Sequence, residues 1–262
     1  MATQVDERVL PLAGVHNFRD YGGYAVRGGG HLRRGWLFRS AQHRDATPED
    51  LRQIGELGLR VVIDLRGERE RHVAPCRRPE GFDAKVLFVN EETSGLAPHI
   101  EAARDVGDPE QARAAMCAGY AAMPFRPRLI EAMRLYFEAL AETDGPTLIH
   151  CMAGKDRTGL AVGLLHAAMG VSHDDIIADY LLTNTAGDAE ERIAAGAVVV
   201  RKAYGAGLPD AAVRVLMMVR PEYLDAAFAG IRERHGDLDT YLAEVLEVSP
   251  ERRQQIKRRL LV

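Results

Sequence analysis

The chain has 262 residues, 47% hydrophobic and 27% charged, with a formal net charge of −4. So much apolar content with so small a net charge excludes extended disorder, and 34 Lys plus Arg against 38 Asp plus Glu exclude a sequence-blind nucleic-acid binder. The length suits a single domain, 1–262, with a sizeable core. No run approaches the ~20 apolar residues of a membrane span. The charged start (Asp6, Glu7, Arg8) is unlike a signal peptide, so the expected setting is cytoplasmic. Cys76, Cys117 and Cys151 are too few and too scattered for a disulfide framework or a zinc site, and Cys76 and Cys117 read as bystanders.

Taken in chain order, residues 14–34 mix aromatic, charged and glycine positions, which is loop and hairpin chemistry. Trp36–Arg39 reads as a short strand ending at Ser40. Thr47-Pro48-Glu49-Asp50 opens a helix, with Thr47 as N-cap, Pro48 in the first turn and acidic residues at the positive end of the dipole. Gly58 is placed to stop it. Val61–Ile63, Val86–Val89 and Thr147–Ile149 are apolar runs of the kind buried on both faces of a parallel sheet. Between the last two lies a helical stretch from about Pro109 to Ala141, with Leu129, Met133, Tyr136, Phe137 and Leu140 as its core stripe.

Beyond residue 157 the pattern is helical, with breaks at Gly170, near Gly187, at 205–209, at Gly236 and at Ser249-Pro250. Strands alternating with helices predict an α/β fold: a mostly parallel sheet of four to five strands flanked by helices, then a helical C-terminal section. The terminal Arg252, Arg253, Lys257, Arg258 and Arg259 read as the solvated face of a last helix.

One segment carries chemistry: His150-Cys151-Met152-Ala153-Gly154-Lys155-Asp156-Arg157-Thr158-Gly159. It joins a buried strand to a helix, at the carboxyl end of a parallel strand, where α/β folds hold ligands. Backbone N–H groups and the helix dipole make such a loop an anion cradle, Lys155 and Arg157 add cations, and Gly154 permits the turn. Met152 to Arg157 therefore form the expected phosphate-binding set, together with Cys151. A cysteine heading this loop is activated as a nucleophile by the helix N-terminus and adjacent cations, and suits in-line attack on phosphorus. The loop supplies the positive charge that magnesium usually brings, so neither metal nor cofactor is called for. The His-Cys-x5-Arg-Ser/Thr-Gly spacing arises by chance about once in twenty thousand such sequences.

This loop resembles the signature of the cysteine-dependent tyrosine and dual-specificity phosphatase superfamily, and Gly154-Lys155-Asp156-Arg157-Thr158-Gly159 is similar to its bacterial atypical branch. Asn17-Phe18-Arg19-Asp20, Leu37-Phe38-Arg39-Ser40, Asp64-Leu65-Arg66, Asp179-Tyr180-Leu181, Glu222-Tyr223-Leu224 and Tyr241-Leu242 also resemble that branch. The likeness spans roughly 12–261, loosely over 91–120.

It implies a phosphomonoesterase with a phosphocysteine intermediate. Its substrates would be phosphotyrosine proteins first, phosphoserine or phosphothreonine proteins or phosphoinositides otherwise. Cys151 would be the nucleophile, Arg157 the phosphate clamp, Thr158 the donor to the departing sulfur and His150 a brace. A two-helix lid is implied over about 183–220. The usual Asp of the mobile acid loop is absent at Val89-Asn90-Glu91-Glu92. The leaving-group acid is therefore Asp156, or Glu91 or Glu92, with Asp64 either a further candidate or a brace paired with an Arg. Phe18, Tyr21 and Met152 either shape the pocket mouth or, for the two aromatics, belong to the core. A non-catalytic phospho-ligand binder and a sulfurtransferase are the other classes to separate, the second by incubation with thiosulfate and cyanide.

Overall fold

The computed structural model describes residues 6–92, 101–103, 106–204 and 207–262. Strands β1 (Arg19–Asp20), β2 (Leu37–Ser40), β3 (Val61–Asp64), β4 (Lys85–Leu87) and β5 (Thr147–His150) form one sheet in the order β1-β2-β5-β3-β4. The last four run parallel and β1 pairs antiparallel with β2. This is the expected α/β architecture.

Side chains alternate across the sheet. Leu37, Val61, Ile63 and Ile149 face one core cluster, and Phe38, Val62 and Leu148 the other. With both faces covered, all four residues of β5 are buried, Leu148 and Ile149 on opposite faces. β4 departs from expectation. It is an edge strand with Lys85 exposed, Val86 and Leu87 only half-buried, and Phe88 41% exposed.

Helix α1 (Pro48–Glu56) starts where its cap predicts. Thr47 Oγ1 accepts from Asp50 N at 3.1 Å, and Asp50 Oδ2 accepts from Thr47 N at 2.8 Å. A short helix not legible in the sequence, α2 (Glu68–Val73), follows β3. The helical stretch from about Pro109 to Ala141 is made of two helices, α3 (Pro109–Ala122) and α4 (Pro127–Glu142), joined by a 3-10 turn at Met123–Phe125. Pro124 and Pro127 cause the break, because proline lacks an N–H and holds the preceding residue, here Arg126 at ψ 117°, out of the helical region. The stripe Leu129 to Leu140 is buried as predicted.

The helical half comprises α5 (Asp156–Met169), α6 (His173–Leu181), α7 (Ala189–Tyr204), α8 (Asp210–Met217), α9 (Pro221–His235), α10 (Leu238–Glu244) and α11 (Pro250–Leu260). α9 packs on α3 and α5, and α7 packs on α8, which in turn lies against α3. The basic end of α11 is less solvated than expected. Arg259 Nε donates to Ala141 O at 2.7 Å, and Arg253 pairs with Asp239 at 2.8 Å. No helix among the described residues is long and apolar enough to cross a membrane.

Candidate active site

β2, β5 and β3 end in register, with Ser40 and Asp64 flanking His150. The chain leaving β5 therefore emerges at the carboxyl edge of the parallel sheet, turns through Cys151–Lys155, and enters α5 at Asp156. Its carbonyls are held from outside. Gln42 N donates to Met152 O at 3.1 Å. Asn17 Nδ2 donates to Gly154 O at 2.7 Å and to Ala153 O at 3.4 Å, and Arg39 Nη2 to Gly154 O at 3.0 Å. A trans peptide points its N–H opposite to its C=O. Tying these carbonyls outward thus turns the N–H groups of Ala153, Gly154 and Lys155 into the loop, where the N-terminus of α5 adds partial positive charge. Two glycines permit this packing. Gly154 sits at φ +61°, where a Cβ would lie 2.3 Å from Ser40 O, and a Cβ on Gly159 would lie 2.8 Å from the Tyr180 ring.

Beneath the loop lies a buried ionic network. Asp179 pairs with Arg19 Nε at 3.2 Å and with Arg39 Nη1 at 2.7 Å, and Arg19 also bonds Asn17 Oδ1. Burial would raise the Asp179 carboxyl, but the two guanidinium groups hold it below the usual carboxylate range. Two cations on one anion leave positive charge under Gly154. Breaking one arm would strand a buried charge, so the network is rigid. Its members come from the N-terminal and Asp179-Tyr180 segments that carried the sequence resemblance. Phe18 and Tyr21 belong to the core, Tyr21 through a 2.9 Å bond to the Tyr136 hydroxyl.

Cys151 heads the loop, buried, and Arg157 lies on the first turn of α5. Glu70 of α2 grips the guanidinium with both oxygens, Oε2 to Nη1 at 2.5 Å and Oε1 to Nη2 at 2.7 Å. Leu65 O accepts from Nη1 at 3.2 Å. Burial would lower Arg157, but Glu70 more than offsets it and holds the guanidinium above its ordinary range. The Glu70 carboxyl, against its own burial, is held low by Arg157. Asp156 Oδ1 accepts from the Tyr120 hydroxyl at 2.8 Å, which accepts from Tyr180 at 2.6 Å. Thr158 Oγ1 is buried with no hydrogen-bond partner among the described residues, so its expected bond to the sulfur is not formed in this state. Lys155, expected to contact the ligand, is fully buried, and its Nζ donates to Leu216 O near the end of α8 at 2.6 Å, with Asp156 Oδ1 3.4 Å away.

Asp64 is engaged as a brace. It takes Arg66 Nε at 2.9 Å and Nη2 at 2.7 Å, with His150 Nε2 3.8 Å away. Burial would raise its carboxyl, yet His150 and Arg66 hold it low. His150 stacks on His43 at 5.5 Å, and burial pushes it down to about 4 in spite of Asp64. Cys76, read as a bystander, accepts from Arg66 Nη2 at 3.2 Å and from His43 N at 3.3 Å. Glu91 is 58% exposed and pairs with Arg128 of α4, and Glu92 accepts from Arg69 N at 2.8 Å. Neither of these contacts is with Cys151–Arg157, although Glu92 lies against Gly67 and Arg69, next to the Glu70 that holds Arg157.

Sequence reasoning missed Glu70, Tyr120 and Arg39's grip on Gly154. Glu70 sits in Glu68-Arg69-Glu70-Arg71, which reads as an ordinary charged surface. The one available signal was a carboxylate shortly after the Asp64-Leu65-Arg66 strand end.

Residues 10–262 match the tyrosine phosphatase family. A protein of Cupriavidus necator whose name assigns it to the tyrosine-protein phosphatases is 35% identical, over 89% of this chain and 82% of its own length. The triple specificity protein phosphatase PtpB of Mycobacterium tuberculosis is 31% identical, over 90% of this chain and 93% of its own. A tyrosine-protein phosphatase of Nostoc commune is 26% identical, over 85% and 73%. With the match covering nearly the whole chain and the anion cradle built as described, the chain belongs to the tyrosine phosphatase family and is a phosphatase.

Proposed function

We propose that the protein hydrolyses phosphomonoesters through a phosphocysteine intermediate on Cys151, with phosphotyrosine proteins as its first substrates. The observation that carries this is the cradle itself. Cys151 opens a loop whose carbonyls are bound outward, and Arg157 is oriented across it by Glu70. The N–H groups of Ala153, Gly154 and Lys155 and the Arg157 guanidinium would hold the equatorial phosphoryl oxygens.

Attack by Cys151 Sγ forms the S–P bond while the P–O bond to the leaving group breaks. Asp156, the carboxyl within the loop, gives its proton to the leaving oxygen. Glu91 and Glu92 are weaker candidates, given their contacts with Arg128 and Arg69. In the second step water attacks phosphorus, Asp156 takes a proton from it, and the S–P bond breaks. The uncommitted Thr158 hydroxyl is available to donate to the departing sulfur. The α7–α8 pair acts as the lid expected over 183–220, since Lys155 of the loop is bound to Leu216 of α8. Activity on phosphothreonine or lipid phosphates is the second reading; the mycobacterial relative is named a triple specificity protein phosphatase, which is in keeping with a range wider than one ester.

The test is phosphate release in EDTA from a phosphotyrosine peptide, a phosphothreonine peptide and a short-chain phosphatidylinositol phosphate, comparing wild type with Cys151→Ser. Release that vanishes in the variant, while the variant still binds the ester, supports the mechanism. Equal release by Cys151→Ser overturns it, and the substrate order ranks protein against lipid.

A further inference from the structure

Arg192 of α7 is only 6% exposed, yet Nε, Nη1 and Nη2 all lack a hydrogen-bond partner among the described residues. Four other cations at or beneath the loop are committed. Lys155 is on Leu216 O, Arg157 on Glu70, and Arg19 and Arg39 on Asp179.

The position of Arg192 follows from helix geometry. Residues 192, 196 and 200 share one face of α7. Val200 on that face is buried, and a Cβ on Gly196 would lie 2.4 Å from Met217 Sδ. That face therefore packs on the end of α8, beside the Leu216 carbonyl that receives Lys155. Arg192 lies one turn before Gly196 on that face, near enough to the loop for its charge to act on Lys155 and Asp156. Its charge is felt there: burial lowers the Lys155 ammonium and Arg192 lowers it further, while Asp156 works against the burial that lowers Arg192.

A buried guanidinium with all its donors idle is costly unless an anion completes it. Its planar fork matches a phosphate. The scissile phosphate is already provided for by the loop N–H groups and Arg157, and Arg192 approaches from the lid. Resting on the proposed phosphomonoesterase reading, we infer that Arg192 is a specificity residue that receives a second phosphate on the substrate, next to the one being cleaved. The matching class is a compact bisphosphate such as a bisphosphorylated cyclitol, free or as a lipid headgroup. A compact ligand seated at the loop would keep its second phosphate within reach of α7, the helix that carries Arg192.

The experiment compares kcat/KM for an inositol monophosphate and a vicinal inositol bisphosphate, and for short-chain phosphatidylinositol lipids carrying the same headgroups. The proteins are wild type, Arg192→Gln, Arg192→Lys and Arg214→Ala. The last breaks the exposed lid pair with Glu190, at 2.5 Å, and controls for lid loosening. Wild type should prefer the bisphosphate. Arg192→Gln should lower the bisphosphate-to-monophosphate ratio about tenfold or more, and Arg192→Lys should recover part of it. A preference in the soluble pair identifies the free cyclitol as sufficient, and one confined to the lipids identifies the headgroup in its lipid. The inference fails if wild type prefers the monophosphates, if Arg192→Gln leaves the ratio within twofold, or if Arg214→Ala lowers it equally. No Cys151-dependent release from any ester would instead overturn the phosphomonoesterase reading beneath it.

Discussion

Glu70→Gln removes the charge that aims Arg157 while keeping the shape of the side chain. Both Glu70 oxygens contact the guanidinium, and the carboxylate is 21% exposed while the arginine is buried. Two unit charges ~4 Å apart interact by about 4 kcal/mol at an effective dielectric of ~20. Partial exposure of Glu70 and the remaining amide oxygen reduce the loss, leaving a destabilisation of about 2 kcal/mol.

The effect on turnover is larger than on folding. The amide turns a donor toward one Nη, so the guanidinium rotates out of the plane in which it meets the phosphoryl oxygens. Losing one oriented donor to a developing charge costs about 10²–10³ in rate. The assay is kcat/KM with p-nitrophenyl phosphate beside a urea unfolding curve. A variant within threefold of wild type in kcat/KM, whatever its stability, would refute the claim that Glu70 aims Arg157.

Stability should fall in mild acid. His150 titrates in the folded protein at about 4, against an ordinary value of 6.5, and burial pushes His43 down as well. As pH drops, the unfolded chain takes up the proton first, so stability is intact above 6.5 and is lost progressively down to about 4. At ~1.4 kcal/mol per pH unit, His150 alone contributes about 3 kcal/mol of that loss. Urea midpoints measured from pH 7 to pH 4 should decline, and His150→Gln should flatten the decline; a flat wild-type profile contradicts the assignment. Asp64, held low, loses its contribution only below about 3.8, outside this window. Gly159→Ala drives a Cβ toward the Tyr180 ring, costing about 1–3 kcal/mol and displacing the Tyr180–Tyr120–Asp156 chain. Thermal unfolding and kcat should drop together, and an unchanged kcat would detach that chain from the chemistry. Lys155→Met removes the bond to Leu216 O, so limited proteolysis between 187 and 220 should accelerate while α9 to α11 stay resistant. Identical digestion patterns would show that the bond does not hold the lid.

The sequence by itself determined what depends on near neighbours along the chain. The Thr47 cap, the 3.6-residue stripe from Leu129 to Leu140, the apolar runs of β3 and β5, and the loop from Cys151 to Arg157 are all patterns whose members lie within a few turns of one another. Each reappears where it was read. The edge position of β4 was not legible, because an apolar run looks the same whether one neighbouring strand covers it or two.

Tertiary structure alone decided which charge faces which. Glu70 meets Arg157 across 87 residues, Tyr120 meets Asp156 across 36, and Lys155 turns to Leu216 across 61. Nothing periodic marks such pairs. A buried ion is tolerated only where the fold happens to bring it a partner, and that depends on how the elements pack. Arg192 is a case in point: in the sequence it is one arginine on an Ala- and Val-rich helix, and only its burial, with no hydrogen-bond partner among the described residues, distinguishes it.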